Sequence, residues 1–169
     1  MNQQAYLLDT NICAFYLRGK FDVDKRIDHV GWDNCYISEI TMLELKMGAE
    51  LSMQKDGIDR SKQLTKFLSD IRVLPIYSAI DVAAQEKVRL RLAGTPCDDN
   101  FDLLIACSAI ANDMICVTDN TKDFFRFQGI ALKIGSIDNN SVSIIKTGKT
   151  PLKSLYSCQS TNGISAKLP

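Results

Sequence analysis

The chain has 169 residues, 46% hydrophobic and 24% charged, with 20 Lys and Arg against 20 Asp and Glu. That length and composition suit one soluble globular domain and exclude a disordered chain. No apolar run reaches the roughly 18 residues of a membrane span, and the N-terminus lacks a basic segment followed by a long apolar one, which argues against secretion.

The first elements alternate between strand and helix. Residues 5–8 (AYLL) are a short apolar run ending at Asp9 and predict a buried strand; Asn11 to Leu17 then reads as helix, with Thr10 as its N-cap. Residues 22–30 are charged and amphipathic, a second short helix. Cys35–Ile37 predicts a strand and Ser38 opens a helix running to about Leu51, with Ile40, Leu43, Met47 and Leu51 as its apolar stripe. After Gly57, the spacing of Ile58, Leu64, Phe67, Leu68 and Ile71 predicts a helix over 58–71.

Val73–Ile76 is a third strand, whose proline suggests an edge or irregular position. A helix from Ala79 to Ala93 stops at Gly94 and Pro96. Asn100 is the expected cap of a helix over 101–112, Ile115–Thr118 is a fourth strand, Asp119–Phe125 a turn and short helix, and Ile130–Ile134 the last strand. Such alternation predicts an α/β protein, a three-layer α/β/α sandwich around a central, mainly parallel sheet. Its ligand crevice is expected at the carboxyl ends of the strands.

From Gly135 the composition turns to serine, glycine and lysine, so residues 1–134 form the expected domain and 135–169 a largely disordered tail, with SVSII able to form a short strand. Residues 1–134 carry 16 Lys and Arg against 19 Asp and Glu, and the tail four lysines and one aspartate. Bulk charge therefore gives no general attraction to nucleic acid. The six cysteines (13, 35, 97, 107, 116 and 158) are scattered without a CxxC spacing. They read as small thiols of a reducing, cytoplasmic setting rather than as a zinc or disulfide framework.

Four acids stand at the ends of apolar segments or interrupt them: Asp9, Glu44, Asp102, and either Asp119 or Asp123 in TDNTKDF. A chain that drives carboxylates towards its core must neutralise them, and a divalent cation does so simply. Magnesium takes hard oxygen ligands, and such ions activate water and absorb charge in phosphodiester cleavage. Each acid also has an ordinary structural role available. Asp9 can cap the next turn, Glu44 can pair with Lys46, Asp102 is favoured by a helix dipole, and Asp119 or Asp123 can close a turn. Glu39 and Glu50 compete with Glu44 but lie further from the middle of its stripe. His29, the single histidine, lies in a charged stretch and reads as a surface residue.

LLDTN at 7–11, ISEITMLELKMG at 37–48, GTP at 94–96, FDLLIACSAI at 101–110 and VTDNTKDFFRFQGI at 117–130 together resemble VapC-type toxins of the PIN-domain ribonucleases. The resemblance covers residues 5–134. It implies an Mg²⁺- or Mn²⁺-dependent endoribonuclease acting on RNA, a homodimer, and inhibition by a VapB-like antitoxin protein. By the same resemblance Asp9, Glu44, Asp102 and Asp123 are the catalytic and metal-binding acids, with Asp119 the rival for the fourth place, and Asn11 and Thr118 support the metal. Two features depart from the family: Met47 replaces a frequent aromatic, and the segment after the last strand lacks the usual tryptophan, the only one here being Trp32.

Lys46, Arg60, Lys62, Lys66, Lys87, Arg89, Arg91, Lys122 and Arg126 are the cations available to RNA on the flanking helices. Two other readings stay open: a catalytically silent module of the same fold that pairs with a protein, and an aspartate-nucleophile phosphatase. The second lacks the further aspartate two residues after Asp9.

Overall fold

The computed structural model describes residues 4–135 and the short strand at 145–146. Its strands are β1 (Tyr6–Leu8), β2 (Cys35–Ser38), β3 (Arg72–Leu74), β4 (Ile115–Val117), β5 (Ala131–Lys133) and β6 (Ile145–Lys146). They form one sheet in the order β3-β2-β1-β4-β5-β6, parallel except for β6, which runs antiparallel to β5. The helices are α1 (Thr10–Leu17), α2 (Val23–Val30), α3 (Glu39–Asp56), α4 (Ser61–Asp70), α5 (Ile80–Leu92), α6 (Asn100–Ala111) and the single turn α7 (Thr121–Phe124).

Strand pleating divides the core in two. Leu7 and Leu8 are adjacent in β1 and point to opposite faces. Leu7 joins Leu90, Ile105, Cys116, Phe124 and Leu132 under α5 and α6, while Leu8 joins Ile12, Ile27, Ile37, Leu64 and Phe67 under α1, α2 and α4. Both faces of the sheet are covered, giving the expected three layers. Pro75 follows β3, which is an edge strand as expected.

Several local expectations are corrected. The cap of α1 is Asp9 rather than Thr10, and that of α6 is Asp99 rather than Asn100. In each case the carboxylate accepts first-turn N–H bonds that the neighbouring residue is too far along the helix to reach. The helix placed over 58–71 starts at Ser61, and α3 continues past Leu51 to Asp56. Most of the assumed stripe of α3 faces outward: Leu43, Met47 and Leu51 are 44%, 54% and 53% exposed, while Thr41 and Leu45 are buried. Thr41 can go inside because its N–H and hydroxyl both bond to the Ser38 hydroxyl.

Cys13, Cys35, Cys97, Cys107 and Cys116 are buried free thiols. Cys158 and most of the 135–169 tail lie outside the described residues; β6 falls within the SVSII segment and its following lysine. Among the described residues no helix is long and apolar enough to cross a membrane.

Candidate active site

After β1 the chain builds outward to β2 and β3, and then returns to the other side of β1 to place β4 and β5. The connections leaving β1 and β4 therefore diverge and open a crevice beyond their carboxyl ends. Asp9 follows β1 and Thr118 follows β4, so topology alone brings them together. The Asp9 N–H extends the ladder with a 3.0 Å bond to the Val117 carbonyl.

Asp9 is 3% exposed. Its Oδ1 accepts from the Thr10 N–H at 2.7 Å, and its Oδ2 from the Thr118 hydroxyl at 2.6 Å and the Asn11 amide at 2.7 Å. Asn11 also donates to the Thr118 hydroxyl and accepts from the Asp119 N–H, which ties the end of β1 to the loop after β4. All these donors are neutral. Burial raises the Asp9 pKa against the lowering effect of these bonds, and the negative charge of Glu44 raises it further.

The other acids converge on the same crevice from separate elements. Glu44, half-buried on α3, accepts from the Thr10 hydroxyl. Asp102, in the first turn of α6, accepts from the Asn120 amide at 3.1 Å. Asn120 in turn donates its N–H to the Thr118 hydroxyl at 2.9 Å. The Asp102 carboxyl is pushed up to about 7, first by burial and then by the charges of Asp9, Asp99, Asp123 and Glu44. One acid thus registers the fields of the other three predicted acids and of Asp99.

Asp119 and Asp123 separate clearly. Asp119 Oδ1 accepts from the Gly135 N–H at 3.1 Å, directing that carboxylate towards the end of β5. Asp123 sits exposed on α7, and its charge acts on Asp102. Glu39 accepts from the Ile76 N–H and Glu50 from the Gln54 amide. His29 is exposed on α2.

Thr10 couples Asp9 to Glu44 through its N–H and its hydroxyl. Sequence reasoning missed one contributor: Asp99 adds charge beside Asp102 while capping α6, and the acidic pair before Asn100 was the available signal. Of the cations considered for RNA, Arg89 is corrected: it turns inward to the buried Glu86. Arg60 donates to Ser52, Lys87 to Asn100 and Arg126 to the Thr95 carbonyl. Lys46 and Lys122 remain exposed beside Glu44 and Asp123 in the chain.

The cluster is a negative pole at the mouth of a sheet. Among the described residues no three His, Cys, Asp or Glu side chains close into a metal cage. A hard octahedral cation does not require one, because one or two carboxylates with water and phosphate oxygens complete its shell. Asp9, Glu44, Asp102 and Asp123 supply oxygen donors alone, which fits such an ion and not a soft one.

The family model described as PIN domain matches residues 6–130. A Shigella flexneri protein named tRNA(fMet)-specific endonuclease VapC is 33% identical over 127 residues, covering 74% of this chain and 93% of that one. Ribonuclease VapC2 of Rickettsia felis is 30% identical over 131 residues, covering 76% of this chain and 96% of its own. Among solved structures, the DNA-bound VapBC of Salmonella typhimurium superposes with a TM-score of 0.70 at 29% identity, covering 78% of this chain and 98% of the other.

Proposed function

The chain belongs to the PIN domain family, and on that premise we propose that it is the toxin of a toxin–antitoxin pair, a divalent-metal-dependent endoribonuclease. The observation that carries this is the convergence of Asp9, Glu44, Asp102 and Asp123 on one crevice, with no cationic side chain bonded to Asp9, Glu44 or Asp102 among the described residues. Mg²⁺ or Mn²⁺, when bound there, supplies activation of water and neutralisation of charge on phosphoryl oxygens.

The remaining work falls to the chain itself. Thr118, Asn11 and the Thr10 N–H lock Asp9 in one orientation, so its free lone pairs point in a fixed direction. Asn120 fixes Asp102, and Thr10 fixes Glu44. Asp123 takes the fourth place and Asp119 braces the loop against Gly135. Lys46 and Lys122 offset the repulsion that an RNA phosphate meets at the rim. A VapB-like antitoxin and a second copy of the chain are the protein partners of this reading. Support comes from the VapBC complexes of similar fold and from exposed apolar side chains such as Leu43, Met47 and Leu51 beside Glu44.

The test is cleavage of tRNA(fMet), the substrate in the Shigella flexneri relative's name, and of total RNA by purified, antitoxin-free protein with Mg²⁺, Mn²⁺ or EDTA. Discrete fragments are expected only with metal. Asp9→Asn should lose more than the roughly 10–100-fold that an outer partner of a metal site is worth. Asp123→Asn should lose far more than Asp119→Asn. A folded Asp9→Asn protein cutting at the wild-type rate would overturn the reading.

A further inference from the structure

Glu86 is a buried charge far from the crevice in the chain and unused by the mechanism above. On α5 the inward positions are Ala83, Glu86 and Leu90, and Glu86 is 1% exposed in the middle of them. An apolar residue would fill that place without the desolvation cost of a carboxylate. Its oxygens are fully engaged: Oε1 accepts from Arg89 Nε at 2.9 Å, and Oε2 from Arg89 Nη2 at 2.7 Å and the Gln128 N–H at 3.0 Å. Arg89 Nη2 also donates to the Arg126 carbonyl at 2.7 Å.

The pair thus grips the backbone at residues 126 and 128. That stretch links α7 to β5 without regular secondary structure, and its Gly129 lies at φ +85°. α7 is a single turn of four residues, too short to hold its shape unaided. Upstream it is anchored through Asn120, and downstream Phe124 and Phe127 pack edge to face in the core. Phe124 and Phe127 are buried, and the bonds to 126 and 128 tie the backbone on either side of Phe127 to α5. Asp123 lies one residue before Phe124.

We propose that Glu86 and Arg89 are positioning residues for the active site: they clamp residues 126–128 to α5 and thereby set where Asp123 stands in the acidic crevice. This rests on reading Asp123 as the fourth acid of the proposed metal site. The pair acts through the backbone and touches neither RNA nor metal.

A double variant, Glu86→Leu with Arg89→Met, separates positioning from stability. Replacing both partners by apolar side chains of similar size leaves no buried charge unpaired, so the domain should still fold, its melting temperature lowered only by the lost bonds to the Gln128 N–H and the Arg126 carbonyl. Amides at 121–128 should exchange hydrogen faster, and Mn²⁺ affinity by calorimetry should fall about 10-fold. Glu86→Gln keeps an acceptor for the Gln128 N–H but loses the charged fork to Arg89, so its Mn²⁺ affinity should fall measurably, by less than in the double variant; it carries the test if the double variant fails to fold. Wild-type Mn²⁺ affinity in a folded double variant, or in Glu86→Gln alone should the double variant not fold, overturns the inference. Absence of Mn²⁺ binding by the wild-type protein would instead remove the metal site itself, and the inference with it. The wild-type titration tells the two failures apart.

Discussion

Asp9 and Glu86 are buried to nearly the same degree, at 3% and 1% exposure, one at the end of β1 and the other inside α5. Glu86 is met by a guanidinium in a two-bond fork and by one backbone N–H. Among the described residues Asp9 is met by neutral donors and faces Glu44, which raises its pKa. Among those residues the charge at Glu86 is balanced by a cation, and the charge at Asp9 is not. A buried carboxylate with its cation built in serves the fold, and on the function proposed above the one left short of a positive charge receives it from a bound metal ion.

The sharpest way to break this contrast is to remove one charged group from each region and follow stability by chemical denaturation. Arg89→Met strands Glu86 and should cost roughly 3 kcal/mol. Asp9→Asn removes a repelled charge and should leave the metal-free protein as stable as before or more so. Equal losses in the two variants would show that the regions are neutralised alike.

Thr118→Val should have the next largest effect. It deletes the 2.6 Å bond to Asp9 and the acceptor for the Asn120 N–H, at about 2 kcal/mol because the lost bond serves a charged group. RNA cleavage should fall about 10-fold as Asp9 and Asp102 lose their common brace. A variant with unchanged denaturation midpoint and rate would mean that the hydroxyl holds nothing.

The last effect is one of pH. Asp102 titrates at about 7 in the folded protein, above its unfolded value of about 3.9. A raised folded pKa means that stability is fully present below the unfolded value and is lost as pH rises towards the folded one. The metal-free protein should therefore weaken between about pH 4 and pH 7 relative to Asp102→Asn, with melting temperatures as the measure. Added Mn²⁺ should reverse the loss at pH 7, since an ion that binds only the folded state stabilises it. Parallel pH profiles for the two proteins would refute the raised pKa that burial and then neighbouring charge give Asp102.

Much of this molecule could be read along the chain because its strands are short, apolar and separated by helices. The strand-end position of Asp9 was visible in YLLDTN, and the edge position of β3 in the proline that follows it. The stripe of α3 was misread, since periodicity identifies an apolar face without saying what covers it: Leu43, Met47 and Leu51 keep helical spacing yet face outward. Arg89 was misread for the opposite reason. In the run QEKVRLR it looks like one of several surface charges, and only the packing of α5 against the segment before β5 turns it inward.

The sequence by itself determined the alternation of strand and helix, the acids that sit at segment ends, and the absence of a bulk charge to attract RNA. Those properties are local: spacing and residue type decide them before any two segments meet. Tertiary structure decided that Asp119 braces Gly135 while Asp123 shares the field of Asp102. It also decided that Thr10 and Asn120 hold the acids in place, and that a buried ion pair grips the loop behind them. Those outcomes depend on the order of strands in the sheet, which brings residues a hundred positions apart within hydrogen-bonding distance and which periodicity along the chain does not encode.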